Sequence, residues 1–151
     1  MKIMQAKQKI LFVCTGNICR SPTAEAVMRH QLELSDNRNI EVDSAGIQSY
    51  HVGEAPDSRT QAAAFARGYD MSAQSARKVT AKDYHEFDYI LAMDESHLRW
   101  LDINRPSHSE AVVEMFANVD VPDPYYGGQQ GFEQVLDIVE ATTTQWIEKL
   151  S

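Results

Sequence analysis

The chain has 151 residues, 43% of them apolar and 24% charged, the composition of an ordinary globular protein that buries one core. Its 22 acidic residues outnumber 14 basic ones, and the net charge of −8 argues against a nucleic-acid-binding face and requires any anion to be attracted locally. No apolar run approaches the ~18 residues of a membrane span, residues 1–9 lack the apolar core of a signal peptide, and the two cysteines, Cys14 and Cys19, suit a reducing compartment. The expectation is a single cytoplasmic domain over residues 1–151 that binds neither nucleic acid nor membrane.

The first predicted element is the apolar run Ile10-Leu11-Phe12-Val13, a strand that stops at Cys14. Thr15, Gly16, Asn17, Ile18 and Cys19 follow, then Arg20, Ser21 and Pro22 at the start of helical periodicity. A loop between a strand's carboxyl end and a helix's amino end gathers unpaired backbone N–H groups into an anion cradle. The same partial positive charge favours a thiolate at Cys14. Arg20 closes the cradle with a planar fork that grips two phosphate oxygens, and Gly16 and Asn17 tolerate the positive φ of a tight loop. A cysteine at a strand end is by default a small buried hydrophobe; the cradle and the Cys-x5-Arg spacing turn the reading to phosphoryl transfer through cysteine. Neither GxxxxGK[ST] nor GxGxxG occurs, so a nucleotide loop is not supported.

Ser21 is the expected N-cap and Pro22 the first residue of a helix carrying Ala24, Val27, Met28 and Leu32, ended by Asn37-Arg38-Asn39. Residues 40–45 alternate as a strand broken by Gly46, and residues 46–56 read as a loop. Asp57 caps a helix over 58–67 that Gly68 ends. A short helix follows Thr80, with Asp83 completing part of a capping box. Tyr89-Ile90-Leu91-Ala92-Met93 has the continuous apolar character of a buried parallel strand. After Asp94 a helix carries Leu98 and Leu101 to about Ile103, and residues 111–116 form a fourth strand. Residues 120–128 are turn-rich. Phe132, Val135, Leu136, Val139, Thr143, Trp146 and Leu150 share one helical face, which is core. Four strands alternating with helices imply an α/β fold, a doubly wound parallel sheet with helices on both faces and ligands at the strands' carboxyl ends.

A phosphomonoester also needs its leaving oxygen protonated. Asp123, between Pro122 and Pro124, is the candidate acid, with Asp120 its solvated competitor, although an Asp-Pro pair by default marks only a turn. Tyr50, Tyr125 and Tyr126 are candidate walls for a phenyl ring. Ser21 is placed to hydrogen-bond the Cys14 thiolate, while Cys19 either traps an oxidised Cys14 as a disulfide or simply fills space in the loop. The five histidines show no metal-ligand spacing, are read as solvated, and no metal or cofactor is expected.

Val13-Cys14-Thr15-Gly16-Asn17-Ile18-Cys19-Arg20-Ser21-Pro22-Thr23-Ala24-Glu25 resembles the signature loop of the low-molecular-weight protein tyrosine phosphatases. Asp123-Pro124-Tyr125-Tyr126 resembles that family's acid loop, and Ser75-Ala76-Arg77-Lys78-Val79-Thr80 and the stretch from Phe87 to Asp94 resemble later motifs. The resemblance implies sheet order 2-1-3-4, an aromatic pocket residue at Tyr50, and Ser44 of Asp43-Ser44-Ala45-Gly46 holding Asn17. It implies hydrolysis of a phosphotyrosine-containing protein through a phosphocysteine, without cofactor, by a monomer or weak homodimer. Two positions depart from it: Gln74 stands where many members carry a histidine that supports the loop asparagine, and Ile47 replaces a common threonine. The alternatives are an arsenate reductase borrowing an external thiol partner and a non-catalytic phosphate-binding module.

Overall fold

The computed structural model describes residues 7–125 and 127–151. In chain order its elements are β1 (Gln8–Cys14), α1 (Arg20–Leu34), β2 (Ile40–Gly46), α2 (Ser58–Ala66), α3 (Asp83–Glu86), β3 (Tyr89–Ala92), α4 (Glu95–Ile103), β4 (Val112–Met115) and α5 (Gln129–Leu150). The strands form one parallel sheet in the order β2-β1-β3-β4, as expected. The two-residue period of β1 divides its side chains between two layers. Ile10, Phe12 and Cys14 pack with Val27, Met28, Leu136, Val139 and Trp146 of α1 and α5. Leu11 and Val13 pack with Tyr84, Ile90 and Leu101 on the α3 and α4 face. Both faces of the strand are therefore covered, and its carboxyl end emerges at the sheet's centre.

Side-chain contacts fix the layers. The ring of Phe12 meets that of Phe116 edge-on at 5.5 Å, an arrangement worth about 0.5–1.5 kcal/mol beyond its burial. Trp146 anchors the last helix by donating from Nε1 to the Phe116 carbonyl at 2.8 Å. Asp57 caps α2 as expected, accepting from the backbone N–H groups of Arg59 and Thr60.

Two local expectations are corrected. Helix α1 begins at Arg20, with Cys19 in the cap position and no side-chain cap, so Ser21 is not the N-cap and Pro22 is the third helical residue rather than the first. The Ser21 hydroxyl is instead drawn into the cradle by Cys14 and Asn17. Strand β2 runs one residue further than expected and takes in Gly46, which ends it opposite Cys14 in the sheet register. A Cβ there would lie 2.7 Å from the Thr15 carbonyl oxygen and 3.0 Å from the Asn17 nitrogen, both backbone atoms of the loop. Gly46→Ala is therefore expected to push the loop off its seat and destabilise the fold by about 1–3 kcal/mol. A denaturant midpoint unchanged from wild type would refute this.

Candidate active site

The cradle hangs between β1 and α1. Cys14, buried at the end of β1, has its Sγ 2.9 Å from the Ser21 hydroxyl. Asn17 takes the left-handed conformation, φ 60°, which a short polar side chain tolerates. Its side chain is fully engaged: Nδ2 donates to Ser21 Oγ (2.8 Å) and Ser44 Oγ (2.9 Å), and Oδ1 accepts from the Arg77 backbone N–H (3.0 Å). Ser44 in turn donates to Glu25 at 2.7 Å. Ser44 thus links the loop asparagine to α1. Gln74 does not: its amide donates to the Pro22 carbonyl, and the support comes from the Arg77 backbone. Gly16 is also corrected, because it lies outside the positive-φ residues. Its lack of a side chain serves close approach instead, since a Cβ would meet Cδ2 of His51 at 2.9 Å.

Arg20 is buried and partly committed. Nη1 donates to Asp94 Oδ2 (2.8 Å) and to the Val121 carbonyl (3.1 Å), and Nη2 to Thr15 Oγ1 (3.2 Å). Among the described residues this leaves Nε–H and one Nη2–H, adjacent donors on one edge of the plane, as a fork for two anionic oxygens. Burial opposes the charge on Asp94. The Ser96 hydroxyl, the neighbouring His97 and the Arg20 guanidinium outweigh it and hold the carboxyl below its ordinary range.

His97 corrects the reading of the histidines as solvated. Its side chain is 0% exposed, with Nε2 2.8 Å from Thr15 Oγ1 and Nδ1 accepting from the Asp94 backbone N–H at 3.2 Å. Burial first, then the Arg20 charge, depress its pKa from 6.5 to about 4 against the opposing carboxylates of Asp94, Asp123 and Asp120. Between those two pH values the unfolded chain binds the proton and the folded chain does not. Stability is then expected to fall as pH drops from 6.5 to about 4, by at most about 3 kcal/mol from this group. Denaturant melts should show this slope in wild type and not in His97→Asn, whose amide oxygen keeps a partner for the Asp94 N–H.

The far wall is the segment between β4 and α5. Asp123 lies there with its side chain about half exposed, Oδ1 accepting from the Tyr125 N–H (3.0 Å) and Oδ2 3.7 Å from Arg20 Nη2. Asp120 is exposed and caps the first turn of α4 through the Glu95 N–H, which leaves Asp123 as the carboxylate lining the cavity. Arg59 ties this segment to α2: it pairs with Asp57 at 3.0 Å, donates to the Tyr125 carbonyl at 3.0 Å and lies 5.4 Å from the Tyr125 ring centre. The cavity between this wall and the cradle, open to solvent and about 260 Å³ in volume, is lined by Cys14, Thr15, Gly16, Ile18, Cys19, Arg20, Tyr50, His51, Asp123 and Tyr125. Tyr50 stands 78% exposed at its rim. Tyr126, the third expected wall, lies outside the described residues. His51, absent from the expected set, was signalled only by its place beside Tyr50; it pairs with Glu54 and walls the cavity over Gly16. Cys14 and Cys19 are both free thiols, and burial pushes the Cys19 thiol up to about 12. A larger depression of about 420 Å³ lies around Gln8, Asp88 and Val112, at the strands' amino ends, away from the end where open parallel sheets bind ligands.

Residues 9–151 match the family described as low molecular weight phosphotyrosine protein phosphatase. A low-molecular-weight protein-tyrosine-phosphatase of Streptomyces coelicolor is 41% identical over 90% of this chain and 89% of its own. The human low-molecular-weight phosphotyrosine protein phosphatase is also 41% identical, over 96% of this chain and 97% of its own. The crystal structure of a protein tyrosine phosphatase from Entamoeba histolytica superposes with a TM-score of 0.90 at 39% identity, covering 95% of this chain and 97% of that one. With the expected sheet order and a family match over nearly its whole length, the chain belongs to the low-molecular-weight phosphotyrosine protein phosphatases.

Proposed function

We propose that the protein hydrolyses phosphotyrosine in protein substrates, and small aryl phosphates, through a phosphocysteine intermediate. The observation that carries this reading is the convergence of Cys14, Arg20 and Asp123 on one cavity with tyrosines at its rim. The Cys14 thiolate attacks phosphorus in line, so that an S–P bond forms as the P–O bond to the phenol breaks. The backbone N–H groups of residues 15–20 and the Nε/Nη2 edge of Arg20 hold the three equatorial oxygens as charge redistributes. Asp123 gives its proton to the departing phenolate oxygen. It then takes one from the water that attacks phosphorus as the S–P bond breaks. Ser21 Oγ accepts from Asn17, and its O–H has two acceptors in reach, the Ala45 carbonyl at 3.4 Å and Cys14 Sγ at 2.9 Å; on the nearer one it stabilises the departing thiolate. Tyr50 and Tyr125, which line the cavity with Cys14, supply faces for the ring of an aryl ester, which a phosphoserine lacks.

The arsenate-reductase alternative lacks a multi-cysteine relay, since the chain's two cysteines both lie in the loop. A pure binding module has no use for a nucleophile and an acid together. The same reading takes the protein as a cytoplasmic monomer or weak homodimer made of one domain. Its two free thiols fit a reducing compartment, and among the described residues no helix is long and apolar enough to cross a membrane. Redox control through a Cys14–Cys19 disulfide belongs to this reading. Because Cys19 keeps its proton, its attack on an oxidised Cys14 quickens as pH rises. The deciding test is hydrolysis of phenyl phosphate and a phosphotyrosine peptide in excess chelator. Turnover of both supports the proposal, and none by the fully reduced protein overturns it.

A further inference from the structure

The mechanism above uses the backbone of Thr15 but not its side chain, and it does not use His97. Yet the two are joined at 2.8 Å across 82 residues of sequence, at the edge of the cradle. The chemistry of the pair fixes the direction of that bond. Nδ1 of His97 accepts from the Asp94 backbone N–H. It also lies 3.2 Å from Asp94 Oδ1, but that oxygen already accepts from the Ser96 N–H, the Ser96 hydroxyl and the His97 N–H. Nδ1 is therefore the acceptor nitrogen, and in the neutral ring the proton sits on Nε2. Burial, together with the Arg20 charge nearby, keeps the ring neutral at ordinary pH. Nε2–H thus donates to Thr15 Oγ1.

Arg20 Nη2 donates to the same oxygen at 3.2 Å. A hydroxyl has two acceptor lone pairs and one hydrogen. Both lone pairs of Thr15 are now occupied by protein donors, and the side chain lines the cavity that opens over Cys14. Its hydrogen is left to point away from both donors. The geometry points to a further catalytic contact: the Thr15 hydroxyl donates to a nonbridging oxygen of the bound phosphoryl group, and His97 is the positioning residue that aims it. The inference rests on the phosphomonoester reading of the cavity and adds a side-chain donor to the backbone cradle. Without His97 the hydroxyl rotor regains its three staggered positions, of which one serves the anion.

Inorganic phosphate is the probe, read by competitive inhibition of phenyl phosphate hydrolysis and by the rise it causes in thermal midpoint. Thr15→Ser keeps the hydroxyl and is expected to bind phosphate within about twofold of wild type, whereas Thr15→Val weakens binding roughly tenfold, the loss of one hydrogen bond to a charged oxygen. His97→Asn is expected to weaken phosphate about threefold by freeing the rotor, raising KM more than it lowers kcat. Placed on Thr15→Val it costs nothing further. Two results overturn the inference: phosphate binding by Thr15→Val equal to that of wild type, or an equal effect of His97→Asn with and without the hydroxyl. Should His97→Asn fold poorly, the valine and serine variants decide alone. The midpoint shift needs no turnover, so a protein that follows this binding pattern but hydrolyses nothing keeps the contact and loses the phosphatase reading.

Discussion

Cys14→Ser is expected to abolish hydrolysis of phenyl phosphate, a loss on the order of 10⁵-fold or more, while the variant still binds inorganic phosphate. A serine hydroxyl needs a base to become a nucleophile. Among the described residues the hydrogen-bond partner of Cys14 Sγ is the Ser21 hydroxyl, which is no base, and His97 spends its proton on Thr15. The cradle itself does not depend on the sulfur. Asn17, Ser44 and Arg77 hold its shape through bonds that the substitution leaves in place. Acid-quenched wild type should carry a phosphate on Cys14 during turnover, and the variant none. Turnover by Cys14→Ser within tenfold of wild type would falsify the nucleophile assignment.

Asp123→Asn should lower kcat for phenyl phosphate by about 10²–10³-fold, the usual worth of a positioned general acid. The loss should shrink sharply for p-nitrophenyl phosphate, whose leaving group departs readily without a proton. KM should not rise. Oδ2 of Asp123 sits 3.7 Å from Arg20, and a neutral amide there puts no negative charge in the path of an incoming dianion. The variant also keeps the side-chain oxygen that accepts from the Tyr125 N–H, so the segment's turn is preserved. Equal losses for the two esters would mean that the substitution displaces the segment rather than removing an acid.

The parts of the site that were legible in the sequence are those whose chemistry is local. Cys14 and Arg20 belong to one continuous loop, and the strand before it and the helix after it are set by apolar periodicity and Pro22. Asp57 announced its helix because a cap acts over two or three residues. Asp123 was legible once the cradle demanded an acid, and the resemblance supplied its place. His97 was not, because its partners Thr15 and Arg20 lie on another part of the chain. Its local signal was the Asp94-x-x-His97 spacing of a capping box just past the carboxyl end of β3, the strand beside β1, from whose carboxyl end the cradle hangs. Ser21 misled for a related reason. Its residue type fits an N-cap, but two buried partners compete for the hydroxyl and win. At Gly16 and Asn17 the need for a tight loop was read correctly, and Asn17 alone meets it by positive φ.

The two ends of the cavity are held by different means. The phosphoryl end is locked by buried bonds that run from Asn17 to Ser21, Ser44 and Arg77, and from Ser44 to Glu25. The ester end is bounded by Tyr50, which is mostly in solvent, and by Tyr125 on a turn. A change at Tyr50 therefore costs the fold little, since surface substitutions away from such networks usually fall within about 0.5 kcal/mol. Substitutions at the rim are therefore expected to change which alcohol is recognised while leaving the phosphoryl seat intact.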